Sequence, residues 1–189
     1  MNRVLVVYGT KRGCTREIAD GIGERLAADG ANVEVLQAAE APAPDGYDAV
    51  VVGSGIRMSQ WHEPVRAWVD ANAMALREMP VESYTACLTI VNEPERIDEI
   101  GSWSRTVEHA AGVTVVDSGI IAGWFVPRQF GLLERIVLMG MKTPQGDFRD
   151  FAAIDAWADK IAPELRISTL SSQADEPRPR TRSGKAPQS

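Results

Sequence analysis

The chain is poor in cysteine and histidine, with two of each among 189 residues. Cys14 and Cys87 lie far apart and show no C-x-x-C spacing. A disulfide scaffold and a zinc site are therefore excluded, and reduced thiols are expected. No apolar run approaches the ~18 residues that span a bilayer. The run after Arg3 extends only from Val4 to Tyr8, too short for a secretory signal. The expected location is cytoplasmic, with peripheral contact at the inner face of the membrane as an alternative. An excess of positive charge is also missing. Residues 168–189 hold four cations and two anions, which leaves 16 cations against 24 anions in residues 1–167, a net of −8. Such an acidic body excludes nucleic acid as the main partner. The Ser-, Pro- and Arg-rich stretch 168–189 has no aromatic residue. It is expected to be a disordered tail beside one domain at 1–167.

What is present is alternation. Residues 4–8, 32–37, 47–55, 84–91 and 113–123 read as strands, and the first, VLVVY, is apolar without interruption. That is the signature of a strand buried on both faces. Helical patterns follow at 15–30, 63–79, 97–112 and 151–165, the first with Ile18, Ile22 and Leu26 on one face. Five strands alternating with helices call for an α/β, doubly wound, five-stranded parallel sheet. In such sheets ligands sit beyond the carboxyl ends of the strands.

That rule places GTKRGCT (9–15) at the ligand edge. Gly9 and Gly13 allow close backbone approach. Thr10 and Thr15 supply hydroxyls, and Lys11 and Arg12 supply charge. Helix amides favour an anion there. The plain alternative is Thr15 as an ordinary N-cap. A P-loop is excluded, because Cys14 stands where its lysine belongs. The G-x-G-x-x-G fingerprint is absent too. A phosphatase nucleophile at Cys14 lacks its phosphate-cradling arginine, and a receiver aspartate is replaced by Gly53-Ser54-Gly55.

The pattern Thr10-x-x-Gly13-x-Thr15 resembles the FMN phosphate loop of flavodoxins. The resemblance implies FMN as cofactor, held by Thr10, Gly13 and Thr15 and by the amides of Lys11, Arg12 and Cys14. A helix start would lower the thiol pKa of Cys14. By the same resemblance Ser54, Gly55, Ile56 and Arg57 lie along one face of the flavin ring. Trp61 is a candidate for stacking there, or else a staple against the next helix. His62 reads as a helix-start residue. Asn92 and Glu93, after strand four, face the other side of the ring and bring no aromatic.

Residues 50–84 and 121–151 resemble menaquinone-dependent protoporphyrinogen IX dehydrogenases, through the G-x-x-I-R loop, the Met-Pro-x-x-x-Tyr lead and a long insertion after strand five. This implies an FMN-dependent oxidoreductase passing electrons from an apolar porphyrinogen donor to a quinone. Alternatives are a flavodoxin-type electron carrier and a flavin-dependent reductase of quinones or small molecules; a deazaflavin could use the same loop. In the insertion, Phe130, Leu133, Val137 and Met141 recur at helical spacing. The stripe is either core or a lid where Phe125, Phe130 and Leu133 meet substrate, with a membrane contact or a homodimer as further uses. No metal site is expected.

Overall fold

The computed structural model describes residues 2–11, 13–105, 112–127, 131–140 and 144–167. Arg12, Phe130 and the stretch 168–189 lie outside the described residues. Strands β1 (Arg3–Gly9), β2 (Asn32–Gln37), β3 (Ala49–Arg57), β5 (Val81–Ala86) and β6 (Val115–Ile121) form a sheet in the order β2-β1-β3-β5-β6. Their pairings are all parallel. The short β4 (Gln60–Trp61) adds antiparallel to the end of β3.

Successive residues of a strand point to opposite faces, so the apolar run of β1 serves two cores. Val4 and Val6 pack with Ile18, Ile22 and Leu26 of α1 (Cys14–Ala28) and with Ile154 and Ile161 of α7 (Phe151–Ile161). Leu5 and Val7 pack with Val65 and Val69 of α2 (Glu63–Ala71) and with Leu76 of α3 (Ala73–Leu76). Each of these fully buried side chains contributes about 2 kcal/mol.

The helix expected over 63–79 divides at Asn72. Its side-chain amide donates to the Trp68 carbonyl at 2.7 Å and satisfies an acceptor at the helix end. The strand expected over 84–91 ends at Ala86. Cys87 N makes a last bond to Ile121 O at 2.9 Å, and Thr89–Asn92 then coil into a short helix, α4. The β-branched Thr-Ile-Val run does not hold an extended form once no neighbour strand is left to pair with it. The helix expected over 97–112 is described as α5 (Ile97–Ser104), and the expected strand 113–123 is β6, two residues shorter at each end.

Past β6 the chain forms β7 (Trp124–Phe125), α6 (Leu132–Gly140) and β8 (Gly146–Asp147) before α7. β7 and β8 pair antiparallel, so the insertion leaves and returns at one place.

Candidate functional site

β1 delivers the chain to the carboxyl edge of the sheet. A Cβ on Gly9 would fall 2.2 Å from Val65 Cγ2, so only glycine lets the strand end pass beneath α2. Thr10 Oγ1 accepts a bond from Gly13 N at 2.9 Å and closes the turn. Gly13 then stands as the N-cap of α1 with φ 97°, a left-handed conformation suited to glycine. The cap is Gly13, not Thr15.

A glycine cap brings no side-chain acceptor to the first turn. The first helical bond in the ladder is Glu17 N to Gly13 O, at 3.1 Å. The amides of Cys14, Thr15 and Arg16 precede that ladder, and the helix dipole favours an anion against them. A Cβ built on Gly13 would meet nothing within 4 Å among the described residues, so space lies open to them on that side. Thr15 is buried, and its Oγ1 stands 3.2 Å from the position of a Cβ on Gly55. Uncapped amides and a glycine turn with open space beside Gly13, flanked by the Thr10 and Thr15 hydroxyls, fit a phosphate monoester, as FMN carries.

The Cys14 thiol departs from expectation. Burial pushes its pKa up, outweighing the Trp124 backbone N–H and the Arg149 charge that pull it down. The dipole that would activate an exposed cysteine here acts on a sulfur wedged against Gly123, whose Cβ position is 3.1 Å away.

The loop after β3 is a hairpin. β3 runs to Arg57, then turns through Met58 (φ 51°) and Ser59 (φ 60°) into β4, pairing Ile56 with Trp61 and Arg57 with Gln60. Two-residue turns of this kind want Asn or Gly, because positive φ crowds a Cβ. Ser54 Oγ accepts from His62 N at 2.8 Å and donates to Gly55 O at 2.9 Å, tying the hairpin base to the start of α2. His62 is the N-cap residue of α2, as a helix-start residue should be. Arg57 is exposed at the hairpin end.

Trp61 is not a stacking residue. It is 1% exposed, and its indole N–H donates to Thr85 Oγ1 at 2.9 Å inside the α2-side core. A ring buried on both faces has none to offer a flavin, so the staple reading stands. Asn92 is the last residue of the helical turn α4 and Glu93 is its C-cap, so neither is next to the strand. Glu93 is paired with Arg96 at 2.5 Å, and Arg96 also holds Glu99 at 2.8 Å. The residues that first leave the sheet are Cys87 and Leu88, which the β-branched run conceals in the sequence.

Phe125 is fully buried and anchors the insertion, so it is not a substrate contact. The outward part of the insertion is different. Leu132 (69% exposed), Leu133 (77%), Ile136 and Met139 of α6 present apolar surface to solvent, which excludes the core reading for these side chains. A cleft of about 460 Å³ lies beside them, lined by Val126, Pro127, Arg135, Met139 and Gln145. The insertion is rooted on α1. Arg149 pairs with Glu17, and also with Asp147 at 2.6 Å, while Phe148 N bonds Gly123 O at 3.2 Å.

Among the described residues, no group of His, Cys, Asp and Glu could hold a metal, and no helix is long and apolar enough to cross a membrane.

The Flavodoxin domain model matches residues 5–151. Protoporphyrinogen IX dehydrogenase [quinone] of Escherichia coli (strain K12) is 32% identical over 108 residues, covering 54% of this chain. The chain spans 58% of the length of that relative. Among solved structures, a flavodoxin from the domain Archaea superposes with a TM-score of 0.55 at 14% identity, over 87% of this chain and 99% of that one. Oxidised Flavodoxin 1 from Bacillus cereus gives 0.53 at 12% identity, over 87% and 97%. These two likenesses concern the fold.

Proposed function

The chain belongs to the flavodoxin domain family and binds FMN, and from that premise we propose an oxidoreductase that passes electrons from an apolar, carboxylate-bearing donor of the porphyrinogen class to a quinone. The observation that carries this reading is the exposed apolar face of α6 beside a cleft that Arg135 helps to line. A sealed electron carrier has no use for such a face. A planar apolar substrate would lie against Val126, Pro127 and Met139 while Arg135 takes a carboxylate. The identity to the dehydrogenase relative supports the same substrate class.

Each part of the chain then has a task. The amides of Cys14, Thr15 and Arg16 and the hydroxyls of Thr10 and Thr15 would hold the FMN phosphate, with Lys11 and Arg12 adding charge. Gly55, Ile56 and Arg57 would line one side of the ring, with Arg57 offering a cation to its polar edge, while Ser54, fully buried, holds the base of the hairpin and does not itself face the ring. Asn92 and Glu93 would approach from the other side. FMN, when bound, supplies the two-electron chemistry, and the protein orients and tunes it. The Cys14–Gly123 contact and the Arg149–Glu17 pair tie the insertion to the helix that begins the phosphate loop. Donor and cofactor would therefore be held by one rigid assembly.

A second reading, a flavodoxin-type electron carrier, is favoured by the net charge of −8 on residues 1–167, which suits docking to a basic protein. An anaerobic assay separates the two. Purified protein loaded with FMN should convert protoporphyrinogen to protoporphyrin when menaquinone is present, with electrons recovered in the quinone. Absence of that turnover, together with fast electron exchange with a basic redox protein, would leave the carrier reading in its place.

A further inference from the structure

Tyr84 is fully buried on β5, and its position is set from three sides. A Cβ on Gly53 of the neighbouring strand would fall 1.8 Å from Tyr84 Cζ, so the ring occupies a notch that exists only because residue 53 is glycine. Trp157 of α7 meets the ring edge-on, with centroids 6.1 Å apart at 64°. The hydroxyl donates to the Thr15 carbonyl at 3.1 Å.

That carbonyl shares a peptide group with the Arg16 N–H, one of the α1 amides that precede the helical ladder. A donor on the oxygen polarises the peptide and strengthens its N–H as a donor. It also fixes the first turn, where Thr15 approaches Gly55. Burial raises the phenol pKa well above its ordinary value, so the hydroxyl keeps its proton through the neutral range.

We propose that Tyr84 is a positioning residue for the phosphate end of FMN, acting through the Thr15–Arg16 peptide rather than by touching the cofactor. The inference rests on the FMN reading above. It separates the phosphate from the ring: a brace on the α1 amides matters for FMN and not for riboflavin, which has no phosphate.

The test is fluorescence titration of the apoprotein with both flavins. Tyr84→Phe deletes one oxygen and keeps the ring in its notch. It should weaken FMN roughly five- to tenfold, as expected for one hydrogen bond acting on a charged ligand, and change riboflavin less than about twofold. Trp157→Phe serves as the structural control: it should lower the melting temperature and leave the FMN-to-riboflavin ratio unchanged. Equal weakening of both flavins in Tyr84→Phe, or no weakening, overturns the proposal. Should Tyr84→Phe fail to fold, 3-fluorotyrosine placed at position 84 gives a stronger donor of similar size. It should raise the FMN-to-riboflavin ratio, and an unchanged or lowered ratio again overturns the proposal. If the wild-type chain takes up neither flavin, the cofactor reading itself falls and this one with it. If it prefers FMN and Tyr84→Phe keeps the preference, only the role of Tyr84 is lost.

Discussion

Glu82 Oε2 accepts a hydrogen bond of 2.7 Å from the backbone N–H of Asp117. The two residues sit on β5 and β6 where the pairing slips between Val81 and Ser83, so the carboxylate serves an amide at the irregularity. Its other oxygen, Oε1, is buried without a partner among the described residues. The Asp117 carboxylate accepts from Trp157 Nε1 at 2.8 Å and from Lys160 Nζ at 2.9 Å. Burial, with the charges of Asp117 and Glu164 adding to it, pushes the Glu82 carboxyl up to about 7, against the opposing Asp117 amide and Lys160.

The sign of the pH effect follows. Below the ordinary value of 4.5 the carboxyl is protonated in both folded and unfolded chains. Between 4.5 and about 7 the folded chain keeps a proton that the unfolded chain has lost, so stability falls as pH rises. Above that window the loss is complete, at roughly 3 kcal/mol. Glu82→Gln removes the titration. In urea unfolding, the variant should gain roughly 2–3 kcal/mol on the wild type between pH 5 and pH 8. An equal difference at both pH values would show that Glu82 titrates as an ordinary carboxyl.

Thr15→Ala should reduce FMN affinity about tenfold, the cost of one hydrogen bond to a charged group. The α1 fold should survive, since Gly13 and not Thr15 caps the helix. Combined with Gly13→Val, which forces a β-branched residue to φ 97°, FMN uptake should vanish. Absorbance titration decides it; a double variant that still binds FMN would remove the phosphate from this loop.

Leu132→Ser with Leu133→Ser tests the insertion. Both side chains are exposed, so the melting temperature should shift little. The flavin spectrum should stay intact while quinone turnover falls about tenfold, as for loss of apolar contact worth 1–3 kcal/mol. Unchanged turnover would separate this surface from the second substrate. A change in oligomer size or liposome binding would assign it to a homodimer or a membrane instead.

Ending the chain after Ile167 should leave melting temperature and FMN binding nearly unchanged. Ile167 is buried, and the Asn2 side chain bonds Arg166 O at 2.6 Å, so the retained end is already fastened to the start of β1. The removed residues are polar and proline-containing. A fall of many degrees would reveal a docking role for them.

The sheet was legible because burial on both faces writes itself as unbroken apolar runs, as in Val50–Val52. The turn into α1 was legible because two glycines and two threonines exceed what a connector needs, and Gly13 stands as its cap. Trp61 was not, because its fate is decided by Thr85, 24 residues away, whose hydroxyl takes the indole N–H. The β3–β4 hairpin was hidden for a different reason: Met58 and Ser59 give no turn signal, and cross-strand pairing holds them at positive φ. The brace on Thr15 needs both Gly53 and Tyr84, neither of which is unusual alone. The end of β5 was obscured by β-branched residues that continue past the last neighbour strand.

The pairing of Trp124 with Asp147 and of Phe125 with Gly146 has a consequence for how this chain can change over time. The two ends of the excursion 126–145 are clamped together, so the sheet carries only the entropy of closing that loop. Each doubling of its length costs about 0.6 kcal/mol. Length and composition there are almost decoupled from whether the domain folds. A variant with 126–145 replaced by a short turn should retain its melting temperature and FMN while losing quinone turnover. On the proposed function, substrate choice then drifts by insertion and deletion at a single point, with the cofactor machinery shielded from the cost of each trial.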